Sequence, residues 1–288
     1  MKYCVLIITV FIIMKCPAVN VYSGNLVVAD FGIQHIHGKV YFDTLLLTDC
    51  TKDKLIEAIL PTIQTDRPDQ TECPFIVPAN HFQIENGLNY EQVSVSEMNY
   101  FYPSTLWKYG VNDNLEFRLI TELNTNKCNE IKTSGLNPVK VGFKTNLCKE
   151  KGIVPLTSFI GHISIPTLAS NKFKTSFLAP SFRFTMQHTL TNKITLGYNL
   201  GAEWDGENPE PVFIYTLTTG FSCTDKIGTY IEFYGFAPNL KQFEHRTDGG
   251  ITYNLSRNIL LDVSGGFGLS ESAPNYYASL GFSIRFPN

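Results

Sequence analysis

The C-terminal stretch "NYYASLGFSIRFPN", residues 275–288, alternates strictly between two kinds of side chain. Even positions from 276 to 286 carry Tyr, Ala, Leu, Phe, Ile and Phe, and odd positions from 277 to 285 carry Tyr, Ser, Gly, Ser and Arg. Successive side chains of a β-strand point to opposite faces, so the stretch predicts a strand with one apolar, aromatic face and one small or polar face. That apolar face must meet either a soluble core or lipid.

The same alternation recurs along the chain, for example in "KITLGYNLGAEWDG" (193–206) and "NILLDVSGGFGLS" (258–270). Segments of about ten residues that alternate in this way are typical of a transmembrane β-barrel. About twelve such segments lie near residues 81–91, 98–110, 114–123, 138–147, 157–166, 176–190, 193–204, 211–222, 226–236, 246–255, 258–269 and 275–286.

The lengths of the joins between these segments support a barrel over a soluble sandwich. Tight polar joins lie at 111–114, 190–193, 223–226 and 255–258, and longer joins lie at 124–137, 205–211 and 237–246, with 148–157 the exception. Outer-membrane barrels have short periplasmic turns and longer external loops. We therefore predict an all-β, antiparallel, up-and-down transmembrane β-barrel of about twelve strands, with both termini periplasmic; a soluble barrel or sandwich is the alternative.

Composition and the N-terminus agree with this prediction. Charged residues make up 17% of the chain, below the roughly 25% of soluble globular proteins, and a net charge of −3 gives no basic face for nucleic acid. The apolar run from Val5 to Met14 is too short for a spanning helix, which needs about 20 residues, and fits a secretory signal peptide. We predict a signal peptide over 1–24, an N-terminal periplasmic extension and leader over 25–80, and the barrel over 81–288.

Neither a disulfide framework nor a metal site is predicted. Five cysteines follow the signal region, an odd number without CxxC spacing: Cys50, Cys73, Cys128, Cys148 and Cys223. His35 and His37 would share a strand face, but two histidines without further ligands are weak support for a metal. The stretch "TKDKLIEAIL" (51–60) could form a short helix. We expect no cofactor.

Several stretches together carry a family resemblance: "TDRPDQTE" (65–72), "VPANHFQIENGLNYEQ" (77–92), "YGVNDNLEFRL" (109–119), "GLNPVKVGFK" (135–144), "TLGYNLGAEWDG" (195–206), "YTLTTGFS" (215–222) and "LDVSGGFGLS" (261–270). With these, residues 63–288 resemble the outer-membrane barrels grouped with the meta-pathway of phenol degradation, of the Bacteroidetes type. The resemblance implies a channel or transporter in the outer membrane of a Gram-negative bacterium, for small hydrophobic or aromatic compounds. The segment 25–61 departs from the family pattern.

The candidate site is the lumen. Its predicted lining, with a possible role in selectivity, is Glu85, Glu116, Arg118, Glu122, Lys140, Lys144, Arg183, Glu203, Asp205, Glu232, Arg246, Asp248, Asp262 and Arg285. Mixed charges in a narrow lumen can tune the selectivity of a channel, or can form an ion-pair network that fills the barrel. Four leader residues could fold back as a plug or could form a rigid cap: Asp66, Arg67, Asp69 and Glu72.

Three functions are compatible with such a barrel. The first is a channel or transporter, the second a structural barrel without transport, and the third a lipid hydrolase, for which His162 with Ser158 or Ser164, and His188 near Ser181, are the candidates. We predict no enzyme, because neither pairing provides an oriented base in sequence. The expected partners are outer-membrane lipid, a small solute, and the barrel-assembly machinery through the C-terminal strand, with no nucleic acid.

Overall fold

The computed structural model describes residues 20–21, 27–36, 39–46, 60–238 and 243–286, with side chains in the last two ranges. The chain divides into two compact units, Met1–Pro61 and Thr62–Asn288. The extension predicted over 25–80 is therefore divided at Pro61, and its second part belongs to the same unit as the barrel.

The described residues of the first unit form three strands, β1 (Asn20–Val21), β2 (Val27–Ile36) and β3 (Lys39–Leu46), in an antiparallel sheet of that order. Most of the predicted signal peptide lies outside the described residues. His37 and Cys50 also lie outside them, and so does the predicted helix 51–60 except for its last residue. In the described ranges, no helix has the length and apolar character needed to cross a membrane.

The second unit is a single large antiparallel sheet. Its strands are β4 (Phe82–Gln92), β5 (Glu97–Asn112), β6 (Leu115–Cys128), β7 (Ile131–Leu136), β8 (Val139–Cys148), β9 (Leu156–Ile165), β10 (Ala179–Thr189), β11 (Ile194–Glu203), β12 (Val212–Ser222), β13 (Ile227–Pro238), β14 (Glu244–Ser256), β15 (Ile259–Gly268) and β16 (Tyr276–Phe286). A single 3₁₀ turn at Pro166–Leu168 is the only helical element among the described residues.

The sheet closes on itself, because β16 pairs with β4 and β5 pairs with β6. β7 and β8 both pair with β6, over residues 123–128 and 115–120 of β6 respectively, and so form one wall strand interrupted at 137–138. The wall is thus a closed, twelve-stranded, antiparallel barrel, which confirms the predicted fold class. Among the described residues, closure leaves no free strand edge except at β7, which pairs with β6 on one side only.

Joins between consecutive strands alternate between the two ends of the barrel. The tight-turn end carries the short joins 113–114, 190–193, 223–226 and 257–258 and one longer join, 149–155. The loop end carries longer joins, such as 166–178 and 204–211, and the short joins 93–96 and 129–130. β4 begins and β16 ends at the tight-turn end. The predicted loop 124–137 is wrong: β6 and β7 form a hairpin there, in which Thr125 and Ser134 are hydrogen-bonded at 2.7 Å. Its polar residues lack the apolar alternation that marks the other strands.

The distribution of side chains is the reverse of that in a soluble protein. On β16, Leu280 and Phe282 on the outer face are 58% and 49% exposed, while Ser283 and Arg285 on the inner face are 0% and 2% exposed. Lys108 and Lys144 are among the largest fully buried side chains in the described part of the chain. Buried charge and an exposed apolar surface are unfavourable in water, but they are the arrangement that a bilayer requires of a barrel.

Candidate functional site

The interior of the barrel is occupied by residues 62–81, which we call the leader. At its start, the Ile63 backbone N–H donates to the carbonyl of Arg257 at 2.8 Å, and near its end the Asn80 N–H donates to the carbonyl of Gly110 at 2.7 Å. Both contacts lie at the tight-turn end, since Arg257 and Gly110 flank short joins. The leader therefore enters the lumen and leaves it through the same end of the barrel.

Asp66 is the centre of the main ion-pair cluster. It accepts hydrogen bonds from Lys108 at 3.0 Å, Arg118 at 2.8 Å and Lys144 at 2.7 Å, from strands β5, β6 and β8. Burial by itself would raise the pKa of Asp66, but the charges of Lys108, Lys144 and Arg118 hold that pKa well below its ordinary value. One leader carboxylate thus neutralises cations from three strands.

Wall side chains also satisfy the leader's backbone. Glu85 accepts from the Asp66 N–H at 2.9 Å, Glu116 from the Val77 N–H at 2.8 Å, and Glu232 from the Gln70 N–H at 2.8 Å. Asn199 accepts from the Glu72 N–H at 2.8 Å and donates to the Glu72 carbonyl at 3.0 Å. Because buried backbone groups need partners, these contacts replace the ladder that an irregular segment cannot make for itself.

Arg67 lies in a notch between two strands. Its guanidinium donates to Asp262 at 2.9 Å and to Ser279 at 2.7 Å. Gly87 and Gly281 are paired across β4 and β16, and a Cβ atom would approach the guanidinium to within 2.0 Å at Gly87 and 2.6 Å at Gly281. Only residues without a side chain leave room for Arg67 here.

Glu72 and Asp69 complete the charged part of the leader. Glu72 accepts from Arg118 at 2.6 Å and lies 3.8 Å from Arg183. Asp69 differs, because burial, followed by the nearby negative charge of Asp248, raises its pKa to about 8. The leader thus combines two carboxylates held by cations, Asp66 and Glu72, with one placed beside another carboxylate.

Two larger cavities among the described residues of the lumen border the leader turn Arg67–Asp69. The turn-side cavity of about 470 Å³ opens among residues of the tight-turn end, such as Asn192 and Asp225. The loop-side cavity of about 290 Å³ is bordered by Glu91 and Arg246. Arg67, Pro68 and Asp69 line both cavities. The turn therefore forms the partition between them.

The structure brings most of the predicted lumenal residues to the inner face. Eight of them are buried there: Glu85, Glu116, Arg118, Lys144, Glu232, Asp248, Asp262 and Arg285. Five are half-buried: Glu122, Lys140, Arg183, Glu203 and Arg246. Asp205 is a correction, because it is exposed in the loop after β11, where its carboxylate accepts from the N–H groups of Glu207 and Asn208. A role in selectivity remains a prediction for all of them.

Lys108 was missed by the sequence analysis, although it bonds Asp66 and is 1% exposed. Its segment carries aromatic residues on both faces of the predicted strand. A register shift between Phe101 and Ser104 also exchanges the odd-numbered and even-numbered positions that face inward. The local triplet Trp107, Lys108, Tyr109 still alternates, and this was the available signal.

The histidines proposed for hydrolysis have other partners. His162 accepts from Arg118 Nε at 3.1 Å, while Ser158 donates to the carbonyl of Pro74 at 2.6 Å. His188 lies 3.3 Å from the Tyr198 hydroxyl. A nucleophilic serine needs a base within hydrogen-bonding reach, and the hydrogen bonds of the described residues contain no such Ser–His pair. Within the same ranges, no group of three His, Cys, Asp or Glu residues could hold a metal ion, and Cys73, Cys128, Cys148 and Cys223 are free thiols.

A closed wall with an apolar exterior, a charged interior and short turns at one end defines an integral-membrane β-barrel of the outer-membrane type. The model of the family described as "Putative MetA-pathway of phenol degradation" matches residues 65–286, and the chain belongs to that family.

One solved structure supports the fold. The COG4313 outer membrane channel from Pseudomonas putida F1 is similar over 76% of this chain and 99% of that chain, with a TM-score of 0.57 and 9% identity. The KdgM porin is also similar, with a TM-score of 0.47 and 10% identity over 71% of this chain and 99% of that chain. The NanC porin has a TM-score of 0.46 and 10% identity over 70% of this chain and 98% of that chain. None of the curated proteins matches the sequence significantly.

Proposed function

We propose that the protein is an outer-membrane channel for small hydrophobic or aromatic solutes, whose lumen is held closed by the leader. The observation that carries this proposal is the pair of lumenal cavities that share the turn Arg67–Asp69 in their lining. A barrel with a purely structural role has no need of cavities at both ends of its lumen. The solute class follows from the family, whose description concerns phenol degradation.

The charged wall has two roles in this proposal. The cations Lys108, Arg118 and Lys144 hold the leader through Asp66, and the charges that border the loop-side cavity, such as Glu91 and Arg246, set which solutes enter. Charged residues that line a narrow lumen can determine selectivity. The protein is not an enzyme in this proposal, since the histidines of the wall serve as hydrogen-bonding partners of Arg118 and Tyr198.

Orientation and biogenesis are part of the same proposal. Short turns are periplasmic in outer-membrane barrels, so we place the tight-turn end, and with it the start of β4 and the end of β16, in the periplasm. A signal peptide over residues 1–24 directs secretion, and β16 presents the C-terminal strand to the barrel-assembly machinery. Outer-membrane lipid surrounds the apolar face.

Single-channel recording in planar bilayers tests the proposal. We expect a small conductance for the wild-type protein and a larger one for the double variant Asp66→Asn with Arg67→Gln, which removes both charged anchors of the leader. Glu207→Gln, in an exposed loop, is the control and should resemble the wild type. Altered gel migration of unboiled samples verifies folding of every variant. A folded barrel with no conductance in any variant would instead support the structural role.

A further inference from the structure

The barrel wall is interrupted near the loop end of β5. On β4, Gly87 pairs with Ser104 and Asn89 pairs with Phe101 of β5. Between these two pairs, one residue of β4, Leu88, lies opposite two residues of β5. A ladder in which two residues oppose one forms a bulge, where the hydrogen bonds between strands are locally disrupted.

The two β5 residues in question are Tyr102 and Pro103. The pairing of β5 with its other neighbour, β6, also leaves them out, because the register shifts between Phe101 and Ser104 there too. Pro103 has no N–H group and cannot donate to either neighbour. The wall is therefore weakened on both sides of β5 at the same height.

An apolar cavity lies on the outer face beside this break. Its volume is about 380 Å³, and its lining includes Leu88, Tyr100, Tyr102, Ala278 and Leu280, with no charged side chain. Leu88 and Leu280 are 55% and 58% exposed on the lipid-facing surface. A volume of this size fits a small molecule.

The outer cavity and the loop-side cavity lie back to back. Asn89, Tyr90, Phe101 and Ser279 line both of them. Asn89 and Phe101 form the register pair at one edge of the break. A thickness of one strand therefore separates the lumen from the lipid-facing cavity at the place where the ladder is interrupted.

We propose that this break is a lateral passage, through which small apolar aromatic molecules move from the loop-side cavity into the bilayer. The proposal rests on the proposed channel function and adds the direction in which the solute leaves. A solute in the loop-side cavity meets the turn Arg67–Asp69 below it and the break beside it. The uncharged lining of the outer cavity excludes ions, because a charge without partners is strongly unfavourable there.

A reversible disulfide across the edge of the break tests this passage. Directly opposite residues of antiparallel strands have Cα atoms about 4.5–5.5 Å apart, within the range that a disulfide spans. Asn89→Cys with Phe101→Cys, in the full chain with the other cysteines replaced by serine, staples this edge. Leu196→Cys with Thr219→Cys staples a regular pair of β11 and β12 as the matched control.

Two measurements are made on each oxidised and reduced protein. The first is uptake of the apolar dye N-phenyl-1-naphthylamine by Gram-negative cells that express the protein, and the second is ion conductance in planar bilayers. For the Asn89/Phe101 staple, we expect oxidation to slow dye uptake by about fivefold or more, since it closes an apolar constriction, and a reductant to restore uptake. Conductance should not change, and the control staple should alter neither measurement.

A second variant approaches the passage from the lipid side. Ala278→Trp fills the outer cavity and should slow dye uptake without changing conductance, whereas Leu200→Trp, on the outer face of β11, should do neither. Dye uptake that ignores oxidation of the staple would overturn the passage, as would a parallel fall of uptake and conductance. Absence of conductance both in the wild-type protein and in the variant Asp66→Asn with Arg67→Gln would contradict the channel function, while dye uptake would still decide the passage.

Discussion

A single added methyl group at Gly87 should open the lumen. In Gly87→Ala the new Cβ would stand 2.0 Å from Arg67 Nη1, far inside van der Waals contact. The backbone of β4 cannot retreat, because Gly87 is paired with Ser104 on one side and Gly281 on the other. The guanidinium must therefore leave its notch and its contact with Asp262, so the turn Arg67–Asp69 loses this anchor to the wall.

The loss of population of the closed state can be worked out from the ion pair that is broken. Arg67 donates to Asp262 at 2.9 Å, and the Asp262 side chain is 0% exposed, so its carboxylate would stay buried without this cation. Removing one partner of a buried pair costs about 3–5 kcal/mol. At about 1.4 kcal/mol per tenfold change, the closed state should lose roughly two to three and a half orders of magnitude in its population relative to open states.

The thiol of Cys73 reports the opening. Burial, followed by the negative charge of Asp66, raises its pKa to about 12, so little of the reactive thiolate forms in the closed lumen. In a protein in which Cys73 is the only cysteine, we expect Gly87→Ala to accelerate its reaction with a water-soluble maleimide and to raise single-channel conductance. Gly161→Ala is the matched control, because its nearest neighbours stand at an ordinary 3.4 Å.

A double-mutant cycle isolates the clash between Gly87 and Arg67. In an Arg67→Ala background the clash has no target, so Gly87→Ala should add little to either measurement, and Gly281→Ala should behave like Gly87→Ala in the wild-type protein. Unchanged thiol reactivity in folded Gly87→Ala, or equal effects of Gly87→Ala with and without Arg67, would refute the account of the notch.

Three further predictions concern other parts of the barrel. Asp66→Asn should destabilise the barrel by about 3–5 kcal/mol in urea unfolding, because Lys108, Lys144 and Arg118 lose their shared carboxylate; equal stability would contradict the ion-pair cluster. Leu280→Arg should cost about 2–4 kcal/mol in refolding into lipid, whereas Gln187→Arg, beside the turn-side cavity, should be tolerated; the reverse order would mean that the faces are wrongly assigned. The pKa of Asp69 in the lumen is about 8, above the ordinary value of about 3.9. The closed state should therefore weaken as pH rises through this interval, and conductance should increase from acid to alkaline pH. Asp69→Asn should remove that dependence.

The barrel itself could be predicted from sequence because its signal is local and repeated. On β16 each residue reports its own face, and the alternation that places Leu280 outward and Arg285 inward is visible within eleven residues. Closure with an even number of strands is then indicated by the alternation of short and long joins along the sequence. Where the alternation is polar, as at Thr125 and Ser134, the strand exists through backbone pairing alone and gives no apolar signal.

The interior could be predicted only in part. A lumenal residue such as Arg118 is recognised by its position on a polar face, but its partner is not, because Asp66 lies 52 residues away in a segment without periodicity. Lys108 was hidden by the register shift beside Pro103. The notch for Arg67 needs two glycines from strands at opposite ends of the barrel sequence, and no short pattern links Gly87 to Gly281.

The path of the leader has a consequence for biogenesis. Asp66 bonds β5, β6 and β8, Glu72 and Gln70 reach β11 and β13, and Arg67 reaches β15 and β16. A barrel that closed without the leader would leave Lys108, Arg118 and Lys144 only the wall carboxylates Glu85 and Glu116 as partners, and Asp262 would lose Arg67. We therefore expect the leader to serve as an internal template during assembly, around which the strands that it contacts are brought together.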